Sequence, residues 1–226
     1  KKEIEEVIRK GKITICVVGL GRIGLPTASI LADAGAQVIG VDIDTGVVRE
    51  INSGKCRFRD EPGLKKVVEK VVKEGRLKAS GNLSSSVAKS DVVIICVPTT
   101  VTESRTPHYP AIIDSCKEIA KSLKKGSLVV VESTVAPGMV EKTIIPLIEE
   151  LSGMKVIEDF GVVSCPERAS PGEILNNLKS VPRVVGGISP KSAEVAAAIY
   201  QYALGVKVIN VTDPKTANAV KLTENI

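Results

Sequence analysis

Tryptophan is absent from these 226 residues, and the only aromatic rings are Phe58, Tyr109, Phe160, Tyr200 and Tyr202. So sparse and scattered a set offers no platform for stacking nucleic-acid bases. Lysine and arginine do not cluster, and a net charge of +5 is modest for this length, so no nucleic-acid partner is expected. Histidine occurs once, at His108 between Pro107 and Pro110, which rules out a histidine-based metal site and reads as a loop residue. No two of the five cysteines (Cys16, Cys56, Cys96, Cys116, Cys165) form a CxxC pair. They read as reduced, mostly buried thiols of a cytoplasmic protein, with no disulfide scaffold and no metal. No apolar run approaches the roughly 20 residues of a membrane-spanning helix. The N-terminal "KKEIEEVIRKGK" is charged throughout and reads as a short amphipathic helix, not a secretory signal.

Hydrophobic residues are plentiful, at 43%. Short β-branched runs at 12–19, 36–42, 91–98, 127–134, 161–166 and 206–211 read as strands. Longer amphipathic segments near 23–34, 45–52, 62–75, 110–124, 138–151 and 191–204 read as helices between them. Near-continuous apolarity suits strands covered on both faces, and the alternation predicts an α/β fold: a doubly wound, mainly parallel Rossmann-like sheet with helices on both faces. Residues 1–212 form that domain in this reading. Residues 213–226 begin a further helix.

One apolar stretch, "ICVVGLGRIGLPTASI" (15–30), holds Gly19, Gly21 and Gly24 directly after a strand and before a helix. In a βαβ unit the first glycine makes the tight turn and the second lets backbone approach a pyrophosphate. The third lets helix and strand pack closely, and the helix N-terminus faces the phosphates. The next strand ends at Asp42, the position for a carboxylate that binds ribose hydroxyls about 20 residues on. A carboxylate there repels the 2′-phosphate of NADP, so the pattern predicts NAD, held by Gly19, Gly21, Arg22, Ile23, Gly24 and Asp42. The same glycines also suit a plain structural turn or another nucleotide, and they say nothing of what is oxidised.

Further motifs follow in order: "INSGKCRFRDEPGL" (51–64), "CVPTT" (96–100), "ESTVAPG" (132–138), "CPERASPG" (165–172), "PRVVGG" (182–187) and "KLTEN" (221–225). With "GLGRIGLP" this series resembles the UDP-glucose/GDP-mannose dehydrogenase family of nucleotide-sugar dehydrogenases, from about residue 12 to the last residue. "CPER…PG" is most similar to members that oxidise UDP-N-acetyl-mannosamine. UDP-glucose enzymes usually carry a second glutamate where this chain has Pro171. The resemblance implies oxidation of a sugar C6 alcohol to the carboxylate in two hydride transfers to NAD, through a thioester on a cysteine.

By the same resemblance, Thr99 contacts the cofactor, and Thr134 sits near the nicotinamide and helps position water. Glu167 acts as base or assists water during hydrolysis, and Arg168 and Ala169 lie against the UDP-sugar. Lys221 and Asn225 form a lysine–asparagine pair at the catalytic centre that also touches substrate. Their i, i+4 spacing puts both on one helix face. There a cation and an amide donor stabilise an oxyanion. The bland alternative is that Lys221, Asn225 and Glu167 are ordinary surface residues.

The nucleophilic cysteine of such enzymes lies beyond the lysine–asparagine helix, and none of the five cysteines here has its glycine-rich context. Cys165 reads as structural. The expectation is therefore an N-terminal, cofactor-binding portion. The helix from 213 would start the central linking and dimerisation helix of a homodimeric or larger parent, and the nucleotide-sugar-binding domain would be absent. Such a portion would bind NAD but be inactive alone. The alternatives are a UDP-glucose or GDP-mannose 6-dehydrogenase, or a non-catalytic NAD-binding module.

Overall fold

Alternate residues of the apolar runs serve opposite faces of one sheet, which is why those runs lack polar positions. Ile15 and Val17 face one hydrophobic cluster while Cys16 and Val18 face another, and Val92/Ile94 and Val93/Ile95 divide in the same way. The computed structural model describes residues 2–168 and 172–224. Its strands are β1 (Thr14–Val18), β2 (Gln37–Val41), β3 (Leu77–Ser80), β4 (Val92–Ile95), β5 (Thr100–Val101), β6 (Pro107–His108), β7 (Leu128–Val131), β8 (Gly161–Ser164), β9 (Arg183–Gly187) and β10 (Val208–Val211). Eight of them form one sheet in the order β10-β9-β8-β7-β4-β1-β2-β3. Neighbours from β3 across to β8 are parallel; β8 and β9 are antiparallel, and β9 and β10 are parallel to each other. The sheet is thus mainly parallel, as the alternation predicted, with one reversal near its edge.

The helices are α1 (Lys2–Arg9), α2 (Gly24–Asp33), α3 (Thr45–Asn52), α4 (Leu64–Lys73), α5 (Leu83–Val87), α6 (Pro110–Ala120), α7 (Ile145–Ser152), α8 (Ile174–Ser180), α9 (Pro190–Leu204) and α10 (Pro214–Glu224). Residues of α2, α4, α8 and α9 fill the cluster on one face, and those of α5, α6 and α7 fill the other. The ends are set by local chemistry. Asp44 accepts from the N–H groups of Gly46 and Val47 at the start of α3, and Asn82 accepts from Ser85 at the start of α5. Gly205 closes α9 with a φ of 71°, a conformation that suits glycine.

Several sequence expectations need correction. The helix expected over 138–151 is a π-helical turn at Val140–Ile144 followed by α7. Pro146 has no N–H to give Lys142 and its ring crowds that carbonyl, so a regular helix cannot pass through. β3, β9, α5 and α8 were not anticipated. β9 opens on a buried arginine and ends on two glycines, a poor strand signature with a packing reason. A Cβ on Gly186 would lie 2.1 Å from the Asp213 carbonyl oxygen, and one on Gly187 would lie 2.6 Å from the Ala193 nitrogen. These glycines let the entries to α10 and α9 close against the sheet. His108 lies in the short exposed hairpin β5–β6, not in a plain loop.

Candidate functional site

Parallel strands β1 and β4 are neighbours whose connections run to opposite sides, so their carboxyl ends part and leave a crevice. A cleft of about 1040 Å³ opens there. Gly19, Gly21, Arg22, Ile23, Asp42, Thr99, Thr134, Glu167 and Lys221 all line it. Ala169 and Asn225 lie outside the described residues, as does Pro171. Arg168 is not among the lining residues. Its guanidinium donates to the Pro182 carbonyl at 2.8 Å and pairs with Glu224 of α10.

At the glycine end, the loop depends on what glycine lacks. Gly19 has a φ of 90°, and a Cβ there would sit 2.6 Å from the Cys96 carbonyl oxygen. A Cβ on Gly24 would sit 1.8 Å from the Gly19 carbonyl oxygen, so no other residue fits without moving the loop. Gly21 meets nothing within 4 Å, which leaves its backbone open to a ligand. No described side chain caps the N-terminus of α2, so its positive dipole end favours an anion, although Leu25 N already donates to the Gly21 carbonyl at 3.1 Å and Pro26 has no N–H to offer. Arg22 reaches Asp60 at 2.7 Å, and its guanidinium lies 5.3 Å from the Phe58 ring centre.

Asp42 is braced from behind. Its two carboxylate oxygens accept from Leu20 N and Asp44 N, each at 2.9 Å. The neighbouring Ile43, 98% exposed, lines the cleft and offers an apolar surface beside that carboxylate. These features fit NAD: a tight glycine turn, an open backbone at Gly21, an uncapped helix N-terminus for the pyrophosphate, and an acid for the ribose. Ile43 and Arg22's ion pair went unread in the sequence.

The other end of the cleft is built from side chains. Glu132, just past β7, is completely buried. It accepts from Arg183 Nη2 at 2.8 Å, Tyr200 Oη at 2.6 Å, Cys96 Sγ at 3.3 Å and Thr27 Oγ1 at 3.4 Å. Arg183 is only 2% exposed, and its Nη1 pairs with Glu167 Oε2. Its Nη2 also donates to the Cys165 carbonyl at 3.0 Å, and its Nε to Cys165 Sγ at 3.4 Å. The Tyr200 ring stacks on the guanidinium, with its centre 5.0 Å away. Burial pushes the Glu132 carboxyl above its ordinary range, against the pull of Arg183. Burial likewise pushes the Cys165 thiol up to about 12, which suits its structural reading. Cys96, on the cleft wall, is raised well above an ordinary thiol by burial and then by Glu132. Neither is an activated nucleophile.

Sequence reading placed Thr134 and Glu167 at this end and missed Glu132, Arg183 and Tyr200. The signal was faint: Glu132 and Arg183 stand inside "ESTVAPG" and "PRVVGG", but nothing in spacing says that they meet. Among the described residues, no group of three or more His, Cys, Asp or Glu side chains could hold a metal ion, and no helix is long and apolar enough to cross a membrane.

Residues 13–204 match the model of the UDP-glucose/GDP-mannose dehydrogenase family, NAD binding domain. The chain is 40% identical over 215 residues to the UDP-N-acetyl-D-mannosamine dehydrogenase of Methanococcus maripaludis, covering 93% of this chain and 47% of that protein. A similar match, 40% over 218 residues, links it to the enzyme of that name from Campylobacter jejuni, covering 93% of this chain and 52% of the relative. The structure of UDP-D-ManNAc dehydrogenase from Pyrococcus horikoshii superposes with a TM-score of 0.89 at 36% identity, over 94% of this chain and half of that one. The chain therefore spans about half the length of the curated relatives it matches.

Proposed function

Because the chain belongs to the UDP-glucose/GDP-mannose dehydrogenase family through its NAD-binding domain, we propose that it is the cofactor-binding half of a UDP-N-acetyl-mannosamine 6-dehydrogenase. One observation carries this reading: a single cleft has a dinucleotide loop and Asp42 at one end and Thr134, Glu167 and Lys221 at the other. The glycine loop and the α2 N-terminus hold the pyrophosphate, Asp42 holds the adenine ribose, and Thr99 and Thr134 flank the nicotinamide end. NAD, when bound, supplies the hydride acceptor for both oxidations of C6.

The chain's own residues then divide the remaining work. The Lys221 ammonium, on α10, stabilises negative charge developing on the sugar oxygen. Glu167 accepts a proton from water, or orients it, during hydrolysis of the acyl intermediate. Asn225, four residues after Lys221 in the sequence, joins the lysine at the oxyanion, and Arg168 and Ala169 contact the nucleotide sugar. In this reading, residues 1–212 are the cofactor domain and the helix from 213 leads to a second domain. That domain supplies the nucleophilic cysteine, and the parent protein is a cytoplasmic homodimer or larger oligomer.

The test is an assay of the full-length protein with UDP-N-acetyl-mannosamine, UDP-glucose and GDP-mannose, following NADH. Two NADH per UDP-N-acetyl-mannosamine are expected. Turnover of UDP-glucose or GDP-mannose alone would reassign the substrate. NAD binding with no turnover of any sugar would leave a non-catalytic NAD-binding module.

A further inference from the structure

Arg183, Glu132 and Glu167 make an uneven trio: one guanidinium between two carboxylates, at the inner wall of the cleft. We propose that Arg183 is a positioning residue, holding the Glu167 carboxylate at the cleft while Glu132, a buried member of the same cleft wall, competes for the same guanidinium. The inference rests on the reading of Glu167 as the group that handles water.

The geometry leaves Arg183 little freedom. Each of its three guanidinium nitrogens is engaged, and Tyr200 stacks against its plane. Such a planar fork can grip two carboxylates at once, which the point charge of a lysine cannot. Glu167 is fixed from its other side as well, because its Oε1 accepts from Arg168 N at 2.7 Å. Its own N–H donates to the Glu132 carbonyl at 3.3 Å, so the two acidic residues are also tied through the backbone. Stability does not call for this arrangement. Apolar residues of similar volume commonly replace a buried ion cluster without loss, or with gain. A buried arginine spent on a carboxylate at a cleft wall is accounted for by what that carboxylate does.

The charged and titratable groups that bear on Glu167 come from several elements. Arg183 starts β9, Glu132 follows β7, Cys165 follows β8 and Cys96 follows β4. Tyr200 comes from α9, and Lys221 of α10 lines the same cleft. Two substitutions pull the trio in opposite directions. Arg183→Lys keeps a charge but loses the bridge, so the Glu167 anion is less favoured. Glu132→Gln keeps the shape, and its amide can still accept from Tyr200 and Arg183; it removes the competing charge, so the Glu167 anion is more favoured.

The experiment is a carboxyl carbon NMR titration of the full-length protein labelled at glutamate Cδ, with the Glu167 resonance assigned by its loss in Glu167→Gln. The titration midpoint should be higher in Arg183→Lys than in the wild type and lower in Glu132→Gln. Midpoints that stay put in both variants, or move in the same direction, overturn the proposal. Should Arg183→Lys fail to fold, Glu132→Gln decides alone: a lower midpoint supports the proposal and an unchanged one overturns it. NADH formation from UDP-N-acetyl-mannosamine by the same wild-type preparation judges the catalytic reading separately. Inactivity there would sink that reading and leave the titration result standing.

Discussion

The two ends of the cleft are made of different materials. At the glycine end the proposed binding groups are backbone N–H donors, a helix terminus and one braced carboxylate, and the decisive atoms are those that Gly19, Gly21 and Gly24 do not have. At the far end almost everything is side chain: two carboxylates, a guanidinium, a phenol and two thiols, drawn from residues between Cys96 and Tyr200. A backbone site is local and tolerates few substitutions at a few adjacent positions. A side-chain site is assembled by the tertiary fold, so damage at one member spreads to the rest.

The sharpest way to break the comparison is Arg183→Met, which strands two buried carboxylates. A stability loss of about 3–5 kcal/mol is expected in urea titrations, because an uncompensated buried charge remains. Nothing at the glycine end should cost as much. Gly24→Ala forces a methyl carbon to within 1.8 Å of the Gly19 carbonyl oxygen, so the loop must shift. The expected loss is about 1–3 kcal/mol of stability, together with NAD affinity. Asp42→Ala should cost folding about 1 kcal/mol, because Leu20 N and Asp44 N lose their acceptor, and weaken NAD binding by about 1–3 kcal/mol in calorimetry. Unchanged affinity would remove Asp42 from the ribose site.

Gly21→Ala sharpens the contrast further, since its Cβ has room in the free protein. Stability should change by no more than about 0.5 kcal/mol, while NAD affinity should drop, because the methyl group would occupy the path proposed for the pyrophosphate. The smallest effect concerns Asp44. Its carboxyl is held below the usual range by the N–H groups of Gly46 and Val47. A lowered folded-state value means stability that is present above the unfolded value of about 3.9 and lost as pH falls below it. Asp44→Asn keeps the cap without the charge, so its acid unfolding profile should lack that component.

Much of the fold was legible because two-sided burial leaves a plain mark: runs such as "TICVV" and "DVVIICV" have no polar face to show. β3 was not legible, because its four residues include the exposed Lys78 and carry too little pattern. α8 was missed for a like reason, since Asn176, Asn177 and Lys179 blur its apolar period. The glycine end of the site could be read directly, because a backbone requirement is written as glycines at fixed, short spacings. The far end could be read only in part. Glu132 and Arg183 are far apart in the chain and meet only where β7 and β9 flank β8 across the sheet. Tyr200 is a buried position of α9, set apart from its apolar neighbours only by the hydroxyl that it donates to Glu132, and no local pattern marks that contact.

The bracing of Asp42 bears on any attempt to retool the cleft for a phosphorylated dinucleotide. Exchanging the acid for a neutral residue would remove more than a repelling charge, because the N–H groups of Leu20 and Asp44 would both lose their acceptor. Those two donors would then stand at the rim where, with the ribose placed as proposed, the extra phosphate would lie. A cofactor swap here therefore begins with a half-made anion seat, and its success turns on whether the backbone between β1 and α3 holds its shape once the carboxylate that pins it is gone.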